Sequence, residues 1–173
     1  MVGPGVLQAV QDCTDIAAKA QTRLRNSIPS QWRIPQDKLP PDSQLDVTGF
    51  PAKCSLLTDQ ELKITDSYAT EIVGAVATGE WTAVEVTTAF CKRTAVAHQV
   101  TNCLTVIMFD NALKQAKKLD DHFSRTGTTL GPLHGLPISL KDNFNIIGYR
   151  SSVGFCAWAP EPAKEESTIV GLL

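Results

Sequence analysis

The feature that most constrains the fold of this 173-residue chain is the segment at residues 131–150, GPLHGLPISLKDNFNIIGYR. Glycines and prolines shape its first seven residues, which predicts a loop. From Ile138 onward we predict a strand whose apolar residues and Asp142 share one side. The opposite side of this strand would carry Ser139, Lys141, Asn143 and Asn145. The pattern therefore places Lys141 in the middle of a strand, among polar neighbours.

A lysine in that position is costly unless its ammonium group is paired or its pKa is lowered. Lysine pKa values fall readily on burial, and a neutral lysine can act as a base near neutral pH. Lys141 is therefore a candidate catalytic base. The alternative, which spacing alone favours, is an edge-strand lysine that prevents aggregation.

Apolar spacing and capping patterns predict helices in most of the remaining chain. The predicted ranges are 6–26, 59–63, 67–78, 83–99 and 110–123, with another helix beginning near 165–167. Two capping boxes, Thr58 with Glu61 and Thr82 with Glu85, support two of the helices, and Asp110 is the expected cap of a third. The first helix is expected to follow Gly3. Its apolar or small residues form one stripe, which consists of Val6, Val10, Cys13, Ala17, Ala20 and Leu24. The apolar run at 103–109 predicts a buried strand or an extended segment.

Composition excludes several classes of function. The formal net charge of −2 and the absence of a basic patch argue against a nucleic-acid partner. No apolar run is long enough for a membrane span, and no secretory signal precedes the first helix, so we expect a cytoplasmic protein. The five cysteines have no metal-binding spacing with the three histidines, so we expect buried thiols and no metal site. A cysteine–histidine nucleophile pair is the alternative.

The stretch GPLHGLPISLKDNF closely resembles the catalytic-lysine segment of the amidase signature family. The resemblance extends upstream to ELKIT at 61–65, to residues 82–105 and to SIPSQWRIP at 27–35, where it resembles the fungal acetamidase-type branch. It implies an α/β fold with a mixed β-sheet core covered by helices, of which this chain would hold the N-terminal helical part and the first core strand or strands.

The resemblance also implies hydrolysis of carboxylic amides by a serine–cis-serine–lysine triad. Lys141 is the triad member that this sequence supplies, and Asp142 is expected to support the lysine strand. His134 and Gly135 match the loop before that strand, where we interpret His134 as a hydrogen-bonding loop residue. No metal or organic cofactor is implied, and the partner would be a small-molecule amide substrate.

The Gly/Ser-rich run that holds the family's nucleophile is not found in these residues, and Ser151-Ser152 lacks its flanking glycines. A dyad of Ser139 and Lys141 would be too widely spaced for direct proton transfer. We therefore expect a helix at 1–28, a proline-rich connector at 29–57, and at 58–173 an incomplete amidase domain truncated before the nucleophile. Alone, it would fold poorly and be inactive. The alternatives are a non-catalytic, amidase-like protein and a domain that binds a second copy or a full-length homologue.

Overall fold

The computed structural model describes the backbone of residues 4–173 and the side chains of residues 11–173, and this part of the chain is predominantly helical. Its α-helices are α1 Pro4–Asn26, α2 Phe50–Lys53, α3 Asp59–Asp66, α4 Ala69–Thr78, α5 Ala83–Thr101, α6 Phe109–Thr126 and α7 Thr168–Leu172. Two 3₁₀ turns, Ser30–Trp32 and Gln36–Lys38, precede α2. The predicted first helix is confirmed as α1, although Gly3 and the side chains of Val6 and Val10 lie outside the described residues.

The chain divides into two compact units. The helical unit comprises residues 28–104 and 108–138. The lysine unit comprises residues 4–27, 105–107 and 139–173 of the described chain, and it contains Lys141. Because the chain passes between the units more than once, neither unit is a continuous segment.

The helical unit is built around α5, which packs against α3 and α6. Its apolar core is a cluster of buried side chains from α3, α4, α5 and the turn between α4 and α5. The cluster consists of Ile64, Ile72, Ala75, Val76, Trp81, Val86 and Ala89. The i, i+3 and i+4 spacing of these residues within α4 places them on one face of that helix. Burial of this face accounts for the association of the short helices, which would be marginal in isolation.

Both predicted capping boxes are confirmed. The Thr58 hydroxyl accepts a hydrogen bond from Glu61 N at 3.2 Å, and the Glu61 carboxylate accepts one from Thr58 N at 2.9 Å. Thr82 and Glu85 make the same reciprocal pair at the start of α5. The first two amides of α5 also donate to the carboxylate of Asp120 on α6, at 2.7 and 2.9 Å. The N-terminus of α5 is therefore fixed both locally and by another helix.

The proline-rich stretch after α1 is hydrogen-bonded to α5 through the side-chain amide of Gln99. Gln99 donates from Nε2 to the Trp32 carbonyl at 2.9 Å and accepts from Ile34 N at 2.8 Å. The Trp32 ring meets Phe109 edge-on, with ring centroids 5.6 Å apart. The 3₁₀ turn at Ser30–Trp32 is therefore anchored by backbone hydrogen bonds and by an aromatic contact.

The lysine unit is held together by backbone pairing within its last 35 residues. Asn145 and Ser167 exchange two hydrogen bonds, from Asn145 N to Ser167 Oγ at 2.9 Å and from Ser167 N to Asn145 O at 3.0 Å. Ala163 accepts from Gly148 N at 3.0 Å and donates to Tyr149 O at 2.7 Å. These contacts bring residues 145–149 alongside residues 163–167 without a continuous ladder.

The strand predicted from Ile138 onward was wrong, and the run 103–109, predicted as a buried strand or an extended segment, does not form a strand. Residues 4–173 contain no β-strand, and their one recorded bridge joins Arg150 to Pro162. The run 103–109 is irregular up to the start of α6, and residues 138–146 are irregular or turn. A strand exists only when a neighbour completes its hydrogen-bond ladder, and neither run has such a ladder within the described residues, although Asn145 exchanges hydrogen bonds with Ser167. The mixed sheet expected from the resemblance is thus not observed in these residues.

The expected cap of α6 was also wrong. The helix begins at Phe109, after Met108, whose side chain makes no capping hydrogen bond. Asp110 lies in the first turn, where its charge still favours the positive end of the helix. Gly127 ends α6 in the left-handed conformation. Helix α7 begins at Thr168, so the predicted start near 165–167 was early, and Glu165, Glu166 and Ser167 precede the helix.

Candidate functional site

The loop that leads to Lys141 is a series of tight turns at the end of the helical unit. His134 N donates to Gly131 O at 3.2 Å, and Leu136 N donates to Leu133 O at 3.0 Å. Leu130 N donates to Nδ1 of His134 at 3.1 Å. The His134 side chain therefore closes the loop on itself, in agreement with its predicted role as a loop residue.

Gly135 is required at its position for two reasons. Its φ of +80° lies in the left-handed region, which L side chains rarely adopt. A Cβ atom at this position would also lie 2.9 Å from Val76 Cγ1 and 3.2 Å from Ala83 Cβ. The loop thus approaches α4 and α5 so closely that only glycine fits.

His134 is buried, with 5% of its surface exposed. Its ring centroid lies 6.4 Å from that of His122 and 6.3 Å from that of Phe123. Burial lowers the pKa of His134, the neighbouring His122 lowers it further, and Asp120 acts in the opposite direction. Because Nδ1 accepts a hydrogen bond, the neutral ring carries its proton on Nε2, which has no hydrogen-bond partner. A neutral, buried imidazole at this point fits a structural role.

Lys141 lies in a segment whose exposure alternates from residue to residue. Leu140, Asp142, Phe144 and Ile146 are half-buried, whereas Ser139, Lys141, Asn143 and Asn145 are exposed. The predicted two-sided pattern is therefore present over residues 139–146 although no strand forms, whereas Ile138, predicted on the apolar side, is exposed. The Lys141 side chain makes no hydrogen bond or ion pair within the described residues. The sequence prediction of a neutral lysine required a buried side chain, whereas Lys141 is exposed in this structure.

Asp142 organises the turn that follows the lysine segment. Its Oδ1 accepts from Ser152 N at 3.2 Å, and its Oδ2 accepts from Ser152 Oγ at 3.1 Å and from Val153 N at 3.2 Å. Its main-chain oxygen accepts from Ser151 Oγ at 2.8 Å. Val153 has a φ of +50°, unusual for a β-branched residue. One carboxylate thus holds a turn in a conformation that its sequence disfavours.

The candidate hydroxyl groups are not brought to Lys141. Ser151 and Ser152 both direct their Oγ atoms to Asp142, and Ser139 is exposed. A serine needs a base within hydrogen-bond reach to become a nucleophile, and within the described residues the Lys141 side chain hydrogen-bonds to none of the three. The structure therefore pairs Asp142 with the serine turn and leaves Lys141 on the exposed side of its segment.

A cavity of about 270 Å³ lies within the lysine unit, next to this turn. Its lining includes Arg23 on α1 together with Asp142, Tyr149, Arg150 and Ser152. Sequence reasoning did not identify Arg23, Tyr149 or Arg150, because α1 and residues 142–159 lie far apart in the chain and no local spacing links them. The cavity combines guanidinium, phenol and carboxylate groups with apolar side chains such as Leu24 and Ile107.

The described residues contain no group of three or more histidine, cysteine or acidic side chains placed to hold a metal ion. Among the helices that the structure describes, none has both the length and the apolar character needed to cross a membrane. The prediction of buried cysteines holds for Cys91, where burial, with a smaller effect from Asp110, raises the pKa of the thiol to about 12. Cys13 and Cys103 are exposed, and Cys54 and Cys156 are half-buried.

Comparison with known proteins places this segment in a described family. The family model described as Amidase matches residues 85–173, which include α5, α6 and Lys141. The protein kk1C of Curvularia clavata, provisionally named an amidase, is 49% identical over 158 residues, covering 91% of this chain and 29% of kk1C. The acetamidase of Emericella nidulans is 42% identical over 163 residues, covering 94% of this chain and 29% of the acetamidase.

A solved structure gives the same picture of the fold. A fatty acid amide hydrolase chain superposes with a TM-score of 0.84 and 31% sequence identity, covering 94% of this chain and 30% of that chain. This chain thus spans less than a third of the length of the relatives it matches. The backbone of the described residues is therefore similar to one portion of a larger hydrolase.

Proposed function

Because this chain belongs to the amidase family, we propose that it forms the lysine-bearing part of an enzyme that hydrolyses carboxylic amides to an acid and ammonia or an amine. The observation that carries the proposal is the segment GPLHGLPISLKD, which lies inside the family-matched range 85–173. The close packing at Gly135 fixes the position of the loop that leads to Lys141.

In the proposed reaction, neutral Lys141 takes a proton from a serine in a cis peptide, and that serine takes the proton of a nucleophilic serine. The nucleophile attacks the amide carbonyl carbon, the amine leaves with a proton, and water hydrolyses the acyl-enzyme. Backbone amides would stabilise the oxyanion. Both serines would come from a Gly/Ser-rich segment that is not found in residues 1–173.

The chain's own contribution, in this proposal, is to present and orient the base. Lys141 lies on the exposed side of its segment, where a second segment could bury it and thereby favour its neutral form. Asp142 lies on the other side and is anchored to Ser152 and Val153. We propose that residues 58–173 are the incomplete amidase domain.

The substrate class follows from the names of the relatives. The Emericella nidulans and Aspergillus oryzae proteins named acetamidase are 42% and 40% identical to this chain. We therefore propose small aliphatic or aromatic amides as substrates, handled in the cytoplasm and without a metal or organic cofactor.

A second candidate function is that of a non-catalytic, amidase-like protein that binds a partner. The observation that favours it is the exposure of large apolar side chains in the lysine unit, where Phe155 is 59% exposed, Trp158 is 55% exposed and their ring centroids lie 4.9 Å apart. Exposed apolar groups close together indicate a surface that another chain covers. The partner would be a second copy or a full-length homologue.

Co-expression separates these candidates. The chain is produced alone and together with the part of the Emericella nidulans acetamidase that it does not match, and hydrolysis of acetamide and of an aryl amide is measured. We expect no hydrolysis by the chain alone and hydrolysis by the pair, lost in Lys141→Ala and kept in Lys164→Ala, an exposed lysine of the same unit. Stable association without hydrolysis would favour the binding function. Hydrolysis by the pair that survives Lys141→Ala would refute the assigned base.

A further inference from the structure

The cavity of the lysine unit is lined by two guanidinium groups that have no anionic partner among the described residues. Arg23, on α1, and Arg150, in the turns after Lys141, both line this cavity of about 270 Å³. Neither arginine takes part in an ion pair recorded for residues 11–173. The side-chain hydrogen bond of Arg150 uses Nε, which donates to Pro160 O at 3.1 Å. The Nη groups of both residues therefore remain available to an anion that enters the cavity.

The carboxylate that lines the same cavity, Asp142, is engaged elsewhere. Its Oδ1 accepts from Ser152 N at 3.2 Å, and its Oδ2 accepts from Ser152 Oγ at 3.1 Å and from Val153 N at 3.2 Å. These three bonds hold the carboxylate against the turn at 151–154. The described residues that line the cavity thus carry two positive charges and one negative charge, and a single bound anion would balance them.

Another part of the cavity wall is apolar and comes from two separate parts of the chain. Ala20 and Leu24 contribute from α1, and Val106 and Ile107 contribute from the segment that precedes α6. An inorganic anion would leave these side chains unused, whereas an anion with an apolar body would bury them. Because drug-sized ligands occupy pockets of about 300–1,000 Å³, a ligand of this smaller cavity would itself be small.

Backbone contacts fix the side of the cavity that carries Arg150. Gly148 N donates to Ala163 O at 3.0 Å, and Ala163 N donates to Tyr149 O at 2.7 Å. Arg150 itself is bridged to Pro162. The backbone on this side is thus ordered before a ligand enters, which lowers the entropic cost of binding.

From this arrangement we propose that the cavity binds a small monocarboxylate, whose carboxylate accepts hydrogen bonds from Arg23 and Arg150 and whose apolar body packs against Leu24 and Ile107. Guanidinium groups bind carboxylates through charge-assisted hydrogen bonds, often two in parallel. Binding of this kind requires no hydrolysis, so the proposal does not depend on the proposed function. Because Asp142 also lines the cavity, an occupied site would stabilise the turn that this residue holds.

The test is titration of the whole chain with benzoate at near-physiological salt, followed by ¹H–¹⁵N NMR. We expect saturable shifts of the Gly148, Tyr149 and Ser152 amides, with a Kd on the order of 1 mM for so small a ligand. Benzyl alcohol keeps the ring but lacks the charge, and it should bind at least ~10-fold more weakly. Inorganic phosphate keeps the charge but lacks the apolar body, and it should also bind at least ~10-fold more weakly.

Substitution of the arginines identifies the groups that bind the carboxylate. Arg23→Gln and Arg150→Gln should each weaken benzoate binding at least ~10-fold, because a charge-assisted bond is lost. Arg25→Gln is the matched control, since Arg25 is also a basic residue in the last turn of α1 but does not line the cavity. It should weaken binding less than about 2-fold. Far-UV circular dichroism of each variant shows whether its fold is retained.

Hydrogen exchange on the unsubstituted chain gives a second measurement that does not depend on any variant. At ten times its Kd, benzoate should slow exchange of the Val153 amide about 10-fold, if opening of the turn requires release of the ligand. The absence of saturable shifts at the cavity would overturn the proposal. Equal affinity for benzoate and phosphate would overturn the assignment of a carboxylate with an apolar body. Equal weakening in Arg25→Gln and Arg150→Gln would attribute the binding to net charge and would overturn it as well.

Discussion

The helices between Asp59 and Thr126 bury isoleucine, valine and tryptophan side chains, whereas none of the described residues from 139 to 173 is buried. The first region draws its order from apolar packing around α5. The second is ordered by polar contacts, chiefly those that the Asp142 carboxylate accepts. The proposed catalytic lysine therefore follows a well-packed helical region but lies in a segment whose apolar side chains have few partners in this chain.

This difference predicts that equivalent substitutions in the two regions have unequal effects, and the largest is expected for a core isoleucine. Ile72 is 1% exposed and Ile147 is 57% exposed. We expect Ile72→Ala to lower the free energy of unfolding by about 3 kcal/mol, because it removes buried methyl groups and leaves a cavity. Ile147→Ala should change it by less than about 0.5 kcal/mol. Urea unfolding followed by far-UV circular dichroism measures both. Equal losses would mean that Ile147 is buried in solution.

A second substitution tests whether the loop before Lys141 belongs to the packed region. Gly135→Ala places a Cβ against Val76 and Ala83 and also requires a left-handed alanine. We expect a loss of about 2–3 kcal/mol from the clash and the backbone conformation together. Gly127→Ala is the matched control, since Gly127 has a φ of +66° and open space around it. It should lose only about 1 kcal/mol. Similar losses for the two variants would show that the loop yields to the added methyl group.

Residues 139–173, which are ordered by polar contacts, depend most on Asp142. Asp142→Asn leaves one oxygen acceptor and places an amide group among the donors from Ser152 and Val153. We expect the turn at 151–154 to open more easily, by about 1–2 kcal/mol, because charge-assisted bonds are lost. Hydrogen exchange at the Val153 amide, detected by NMR, should become roughly 10-fold faster.

Asn143→Ala is the control for this experiment. Asn143 is the exposed neighbour of Asp142, and its side chain makes no hydrogen bond to the turn. The amides of α5 should exchange at unchanged rates in both variants. A uniform increase throughout the chain would indicate global destabilisation and would contradict a local role for Asp142.

Features that depend on neighbouring residues could be predicted from the sequence. The capping boxes at Thr58 and Thr82 need only residues three positions apart, and the alternation around Lys141 needs only extended backbone. The resemblance also placed the lysine segment in the right family. Both kinds of prediction depend only on short stretches of sequence.

Features that join distant residues could not be predicted in this way. The bonds from α5 to Asp120, and from the Ser152 turn to Asp142, depend on where the chain folds back. The strand at 138–146 was predicted wrongly for a related reason, since an alternating pattern specifies two faces but does not supply the neighbouring strand that a ladder requires.

The smallest expected effect separates two residues that occupy the same position before a helix. Thr82 caps α5 through its hydroxyl, whereas Ser167, which precedes α7, makes no such bond and accepts from Asn145 N instead. We expect Thr82→Ala to cost about 1 kcal/mol of the free energy of unfolding, because a helical amide loses its partner. Ser167→Ala should cost no more than about 0.5 kcal/mol, since its bond is solvent-accessible and water can replace it. Thr82→Ser should restore the urea midpoint. A larger loss for Ser167→Ala than for Thr82→Ala would show that the pairing of residues 145–149 with 163–167 stabilises the chain more than the capping of α5.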